Sequence, residues 1–222
     1  MADVLILGHR GAAQVPENTI PSFEKAFELG ADGFELDVRK TADGQLIVVH
    51  GSVVGGRAVQ SSTYEQLRKL PRGFEVPLLK DVLEKFGRQA HLYIELKTPG
   101  LEQETVDLIR ASGNPAKTLV LAFQPQTLTK VHELFPDLAL GFIYSRTQDK
   151  ERRHNCPIDV LIPQFKLVSR ELIEEVHSEG LTVVPFTVNE VSEIKRLLQL
   201  GVDGFITDHP EKVAKVIGRQ TS

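Results

Sequence analysis

Short apolar runs alternate along this chain with longer stretches whose apolar residues recur at three- and four-residue spacings. The short runs predict strands at Val4–Gly8, Gly33–Val38, Gln45–His50, Leu92–Lys97, Thr118–Phe123, Leu138–Tyr144, Val160–Gln164, Thr182–Val188 and Gly204–Thr207. Many are continuous rather than alternating, the pattern of parallel strands covered on both faces. The longer stretches predict helices at Ile20–Leu29, Leu78–Phe86, Glu102–Ala111, Thr127–Phe135, Glu171–Ser178, Val191–Leu200 and Glu211–Ile217. Such alternation predicts an α/β fold with a parallel sheet.

An open doubly wound sheet and a closed barrel both fit that alternation, and an internal repeat separates them. Leu29-Gly-Ala-Asp-Gly-Phe-Glu-Leu-Asp37 matches Leu200-Gly-Val-Asp-Gly-Phe-Ile-Thr-Asp208 at six of nine positions. Each stretch reads as a helix end, a glycine C-cap and the next strand. The offset of 171 residues divides into six steps of 28.5 residues, an ordinary length for one strand–helix unit. Six steps from a second strand lead to an eighth, so the expectation is a (β/α)₈ barrel forming a single domain over residues 1–222. The longest interruption of the helical pattern, Gly51–Pro77, reads as a short insertion after the second strand region. Within it, Val53–Val59 predicts a small hairpin turning at Gly55-Gly56.

Composition narrows the partners. With 26 Lys+Arg against 30 Asp+Glu and a net charge of −4, the chain lacks the basic footprint of a general nucleic-acid binder. The lone Cys156 excludes an internal disulfide framework and a cysteine-based zinc cage. No apolar run approaches the ~20 residues that span a bilayer, so no stable membrane insertion is expected. Met1–Leu7 has no basic region ahead of an apolar one, which predicts a cytoplasmic protein without a secretory signal. The pattern specifies no oligomeric state.

Catalytic groups of such barrels stand at the C-terminal ends of the strands. Here those ends read Gly8-His9-Arg10-Gly11, Glu35-Leu36-Asp37, Val49-His50 and Glu95-Leu96-Lys97. Strand side chains alternate, so Glu35 and Asp37 share one face, as do Glu95 and Lys97. Taken singly, each reads equally as a solvated strand-end acid or as a structural Glu95–Lys97 pair. Three carboxylates crowded into one mouth repel each other and lose hydration, a cost that one divalent cation offsets. All-oxygen ligands favour Mg²⁺, Ca²⁺ or Mn²⁺ over zinc. His9 and His50 are the candidate acid and base, because imidazole titrates near neutral pH. Arg10 and Lys97 add positive charge, and with a metal they suit an anionic phosphoryl centre. His91, His132, His154, His177 and His209 read as surface or capping residues, and Cys156 has no evident base beside it.

These motifs, together with Pro16-Glu17-Asn18-Thr19, Thr41-Ala42-Asp43-Gly44, Phe186-Thr187-Val188-Asn189 and Gly204–Pro210, resemble the glycerophosphodiester phosphodiesterase family over almost the whole chain. The resemblance implies a (β/α)₈ barrel that hydrolyses glycerophosphodiesters, as small-molecule substrates, to sn-glycerol 3-phosphate and an alcohol. It also implies one divalent metal on Glu35, Asp37 and Glu95, a catalytic pair in His9 and His50, and phosphate contacts from Arg10 and Lys97. One histidine of the pair is the base and the other the acid, with His9 the preferred base. Two positions depart from the family pattern. Gly51 stands where the family usually has Asp, so His50 is either held otherwise or less active. Phe186 stands where Trp is common, which changes how the substrate packs. Three rivals remain at this point: lysophospholipase D-type hydrolysis of lysophospholipids, a degenerate phosphodiester-binding barrel supported by Gly51, and a metal-dependent lyase or aldolase barrel.

Overall fold

The computed structural model describes residues 4–69, 73–112 and 114–219. The chain opens with β1 (Leu5–His9), α1 (Ile20–Glu28), β2 (Gly33–Lys40), β3 (Leu46–Val48), β4 (Val53–Val54), β5 (Arg57–Ala58) and α2 (Tyr64–Leu67). It continues through α3 (Leu79–Phe86), β6 (His91–Leu96), α4 (Glu102–Ser112), β7 (Thr118–Ala122), α5 (Pro125–Leu134) and β8 (Ala139–Tyr144). The last part holds β9 (Val160–Pro163), α6 (Arg170–Ser178), β10 (Thr182–Val183), α7 (Val191–Leu200), β11 (Gly204–Thr207) and α8 (Pro210–Ile217). A 3₁₀ run, Thr147–Asn155, takes the place of a helix between β8 and β9.

The parallel strands lie in the order β10-β9-β8-β7-β6-β2-β1-β11. The two ends of that path meet, because Asp203 N–H donates to Val183 O and Ile206 N–H to Pro185 O, both at 3.0 Å. The expected (β/α)₈ barrel is therefore borne out. The run expected as strand 182–188 is regular only over β10, since Pro185 has no N–H for a ladder. It still lines the barrel: Val184 N–H reaches Leu161 O and Phe186 N–H reaches Pro163 O, each at 3.0 Å.

The internal repeat has a physical cause. Gly30 and Gly201 end their helices at φ of 88° and 91°, a region that disfavours side chains. The aspartate two residues later ties the next strand to its neighbour. Asp32 Oδ2 accepts Ile6 N–H at 2.8 Å, and Asp203 Oδ2 accepts Val183 N–H at 2.7 Å.

Strand alternation sorts the core into two shells. Phe34, Leu36, Val38, Ile94 and Leu96 face outward against the helices, where Phe23 stacks on Phe34 at 4.0 Å between ring centres. Truncating Phe34 to Ala would cost about 3–5 kcal/mol. Leu7, Leu119, Leu121, Ile143, Ile162 and Ile206 fill the barrel interior. The alternating residues of β2 and β6 are thus left to face the mouth.

One expectation is corrected. The run at 45–50 is not a barrel strand; β3 pairs antiparallel with the extended end of β2, Val38 opposite Val48 and Lys40 opposite Leu46. The turn is set by Thr41, whose N–H and Oγ1 both bond Gln45 O. The 51–77 segment contains the expected hairpin, β4 against β5, and also α2 and a 3₁₀ turn at Val59–Ser61. It closes over a small apolar core of Ile47, Val54, Val59, Leu67 and Val76. Among the described residues, no helix is long and apolar enough to cross a membrane.

Candidate active site at the barrel mouth

The end of β1 is bent sharply to bring two functional side chains into the mouth. Arg10 adopts a left-handed backbone at φ 55°, and its N–H donates to Glu35 O at 2.9 Å and Glu35 Oε2 at 3.2 Å. Gly11 follows at φ 95°, where a Cβ would stand 2.4 Å from Ser22 Oγ, so only glycine lets α1 come this close. Asn18, also left-handed at φ 57°, donates from its backbone to Arg10 O and clamps Asp37 with its amide. Its Nδ2 donates to Asp37 Oδ2 at 2.8 Å, and its Oδ1 accepts Asp37 N–H at 3.3 Å.

Glu35, Asp37 and Glu95 are all buried, and each offers an oxygen within 4.8 Å of the others. Arg10 Nε lies 3.1 Å from Asp37 Oδ2. Lys97 Nζ lies 2.7 Å from Glu95 Oε1 and 3.2 Å from Asp37 Oδ1. Burial, then repulsion from Asp37 and Glu95, pushes the Glu35 carboxyl well above the usual carboxylate range. Burial likewise raises Glu95, although Lys97 acts against it. Burial alone would lower Lys97, but the Glu95 and Asp37 carboxylates carry its net shift upward. Two cations therefore face three carboxylates, and the buried Asp37 Oδ1 has the 3.2 Å ionic contact to Lys97 but no well-aligned hydrogen bond. A hard divalent cation fits this donor set, because it supplies the missing charge and takes oxygen ligands. A second trio, His154, Glu175 and Glu179, is already bridged by buried Arg153, whose Nη2 donates to both glutamates.

The histidines are held differently. His9 Nδ1 stands 2.7 Å from Asp208 Oδ1. Asp208 is gripped in turn by Asn189, whose Nδ2 donates to Oδ2 at 2.6 Å and whose Oδ1 accepts Asp208 N–H at 3.0 Å. Burial opposes ionisation of Asp208, yet the His9 and Asn189 hydrogen bonds bring its pKa below the ordinary value. Sequence reasoning assigned no role to Asp208, Asn189 or Asn18. His50 arrives from β3 and not from a barrel strand. Its carbonyl accepts Arg39 Nε at 2.9 Å, and Val49 N–H donates to Asp37 O at 2.9 Å. Its ring has lost part of its hydration, and that burial lowers its pKa.

His9, Arg10, Glu35, His50, Glu95 and Lys97 form one wall of a mouth cavity of about 120 Å³. Leu121, Phe123, Ile143, Ile162, Phe186 and Ile206 form the apolar wall opposite. Phe186 meets Phe123 edge to face at 6.3 Å. Asp37 lies beneath, through its contacts to Arg10, Lys97 and Asn18. All eight sequence-predicted site residues thus come together. Of the other histidines, His177 bonds Asp203 at 2.9 Å and His209 caps α8. Cys156 is half-buried, its thiol pushed up to about 11.

Comparison with known proteins places this arrangement. A sequence model of the glycerophosphoryl diester phosphodiesterase family matches residues 9–212. The chain is 32% identical to a glycerophosphodiester phosphodiesterase of Caldanaerobacter subterraneus, covering 96% of this chain and 97% of that one. It is 31% identical to one of Bacillus subtilis, covering 96% and 86%. A glycerophosphodiester phosphodiesterase of Parabacteroides distasonis superimposes with a TM-score of 0.87 at 24% identity, covering 98% of both chains. An Oleispira antarctica phosphodiesterase, solved with its product sn-glycerol-3-phosphate, superimposes with a TM-score of 0.85 at 24% identity, covering 96% of both. With a family match that begins at His9 and runs through every element of the mouth, this chain belongs to the glycerophosphoryl diester phosphodiesterase family and is an enzyme of that class.

Proposed function

We propose that this enzyme hydrolyses glycerophosphodiesters to sn-glycerol 3-phosphate and an alcohol, using one divalent cation held by Glu35, Asp37 and Glu95. Mg²⁺, Ca²⁺ and Mn²⁺ all suit the oxygen ligands. A cation bound there supplies Lewis-acid polarisation of the phosphoryl oxygens. Arg10 uses Nε on Asp37 and Nη1 on Glu17, and among the described residues Nη2 has no protein partner. That nitrogen and the Lys97 ammonium hold the phosphoryl group and offset charge that builds on it.

His9 is the base. Asp208 accepts a hydrogen bond from His9 Nδ1–H, which leaves Nε2 as the lone-pair nitrogen and stabilises the imidazolium once it forms. His50 is the acid for the departing alcohol. Phe186 packs against the carbon skeleton of the substrate. One observation carries the reading: a carboxylate-held histidine and a three-carboxylate cradle open on the same 120 Å³ cavity. The names of the sequence relatives support it, as does the product held by the Oleispira phosphodiesterase. A single thiol and no disulfide suit a reducing compartment, and we place the reaction in the cytoplasm, carried out by the barrel as one unit.

The test is release of sn-glycerol 3-phosphate from a panel of glycerophosphodiesters with each of the three metals. Metal-dependent release is expected. No release from any substrate with any metal would rule the function out.

A further inference from the structure

Two larger cavities flank the mouth, and they differ in character. One, of about 480 Å³, opens beside His9 and Arg10 and presents Gln14, Glu17 and Asp208. The other, of about 530 Å³, opens beside His50 and is walled by Pro16, Val48, Val49, Val53, Val54 and Val76. Val54 and Val76 are pinned in the small core of the 51–77 segment, so this wall is pre-formed. Val53, at the start of the hairpin, is 56% exposed, and among the described residues Val191 is the other large apolar side chain left so open.

The two arms of a glycerophosphodiester differ in the same way. The glycerol arm carries two hydroxyls and suits the polar cavity beside the base. The leaving alcohol must lie beside the acid, because His50 has to reach its oxygen. Resting on the assignment of His50 as acid, we propose that the valine-walled cleft is the leaving-alcohol subsite and that it selects neutral aliphatic alcohols. In the step, the bond from phosphorus to the alcohol oxygen breaks as the nucleophile's bond to phosphorus forms. The breaking bond's electron pair goes to the alcohol oxygen, which takes the His50 proton. The alkyl chain meanwhile stays against the valines, removing their surface and that of Val53 from water.

The wall chemistry decides against a quaternary ammonium alcohol. Recognition of such a cation uses aromatic faces. Among the described residues, none that lines this cleft is Phe or Tyr. Glu17, at its rim, is already engaged by Arg10 at 2.9 Å. The volume lies within the roughly 300–1,000 Å³ usual for a ligand pocket, far more than an ethanol-sized group fills.

The test measures kcat/KM for the ethyl, butyl, hexyl and octyl esters of sn-glycerol 3-phosphate, below their micelle concentrations, and for the choline ester. The expected result is a rise of about two- to fourfold per methylene until the cleft is full, with the longer esters above the choline ester. Val53→Asp, at an exposed position, should flatten that slope, and Val54→Ala should lower it. The slope is a ratio within one protein, so partial loss of folded enzyme cancels. Val191→Asp, at an exposed valine on α7, should keep the wild-type slope. A flat wild-type series, or preference for the choline ester, overturns the subsite while the phosphodiesterase function stands. No turnover of any ester overturns both.

Discussion

His9 Nδ1 and Asp208 Oδ1 lie 2.7 Å apart although 199 residues separate them in the chain. The first and last barrel strands bring them together, since β1 pairs with β11 through Gly8 opposite Thr207. Asp208 is also the repeat counterpart of Asp37, so both copies of one local motif deliver a carboxylate to the mouth. Asp208→Asn keeps an acceptor for Nδ1 but removes the charge that stabilises the imidazolium. Turnover should fall roughly 10²–10⁴-fold, as for loss of a positioned base. The pH dependence of stability should change with it. The folded pKa of Asp208 lies below its ordinary 3.8, so its contribution is present above that value and is lost as pH falls through the folded one. As pH falls below about 3.8, the melting temperature should drop less steeply in the variant than in the wild type. A variant with wild-type turnover and an unchanged melting profile would sink the assignment.

The acid and base are separable by leaving group. His9→Ala and His50→Ala should each lose roughly 10²–10⁴-fold in turnover of an alkyl ester. A nitrophenolate departs without a proton, so with a nitrophenyl ester the His50→Ala loss should largely vanish while the His9→Ala loss persists. The opposite pattern would exchange the two roles. His132→Ala, at a half-buried position of α5 outside the mouth lining, should change little.

Much of this arrangement is legible in the sequence, for identifiable reasons. Continuous apolar runs mark barrel strands because both faces of each strand are covered, and the period of two places Glu35, Asp37, Glu95 and Lys97 on the inner face. The return strand β3 reads like a barrel strand because apolarity and period are the same in both. What separates them is length: residues 41–45 join β2 to β3, far short of the dozen or more a parallel crossover needs. Asn18, Asn189 and Asp208 stay hidden because their roles are contacts to residues distant in the chain, and no local spacing encodes a contact.

Arg39 supplies a hold on His50 at the position where Gly51 carries no side chain. Its Nε donates to the His50 carbonyl at 2.9 Å from the extended part of β2. Arg39→Ala should lower kcat roughly tenfold, about 1.4 kcal/mol in barrier, with little change in KM. Arg39→Lys should restore part of it. A rise in KM alone, with kcat intact, would mean that Arg39 meets substrate instead of positioning the histidine.

Removing divalent cations should abolish activity, and Mg²⁺, Ca²⁺ or Mn²⁺ should restore it. Adding the metal should also raise the melting temperature of the stripped protein, because it relieves repulsion among three buried carboxylates. Glu35→Gln should weaken that thermal shift and require more metal for activity. Full activity in a rigorously metal-free sample would remove the cation from the reaction.

The last expectation concerns what attacks phosphorus. The described residues that line the mouth cavity are His9, His50, Glu35, Glu95, Arg10, Lys97 and apolar side chains. Among the described residues lining it, no hydroxyl or thiol stands there to form a covalent enzyme intermediate. The glycerol arm carries a hydroxyl next to the esterified carbon, and a glycerol arm seated on the His9 side would bring that hydroxyl within reach of the base. Attack from within the same molecule has most of its orientation cost met in advance. The first product would be a cyclic 1,2-phosphate, with the alcohol leaving as His50 gives up its proton, and water would then open the ring. An analogue that lacks the 2-hydroxyl but keeps the phosphodiester should bind with near-normal affinity and turn over orders of magnitude more slowly. With the natural substrate, the cyclic phosphate should be detectable in rapid-quench samples before sn-glycerol 3-phosphate reaches its final level. Equal rates for substrate and analogue would assign the attack to water, with His9 taking the proton from that water in place of the hydroxyl.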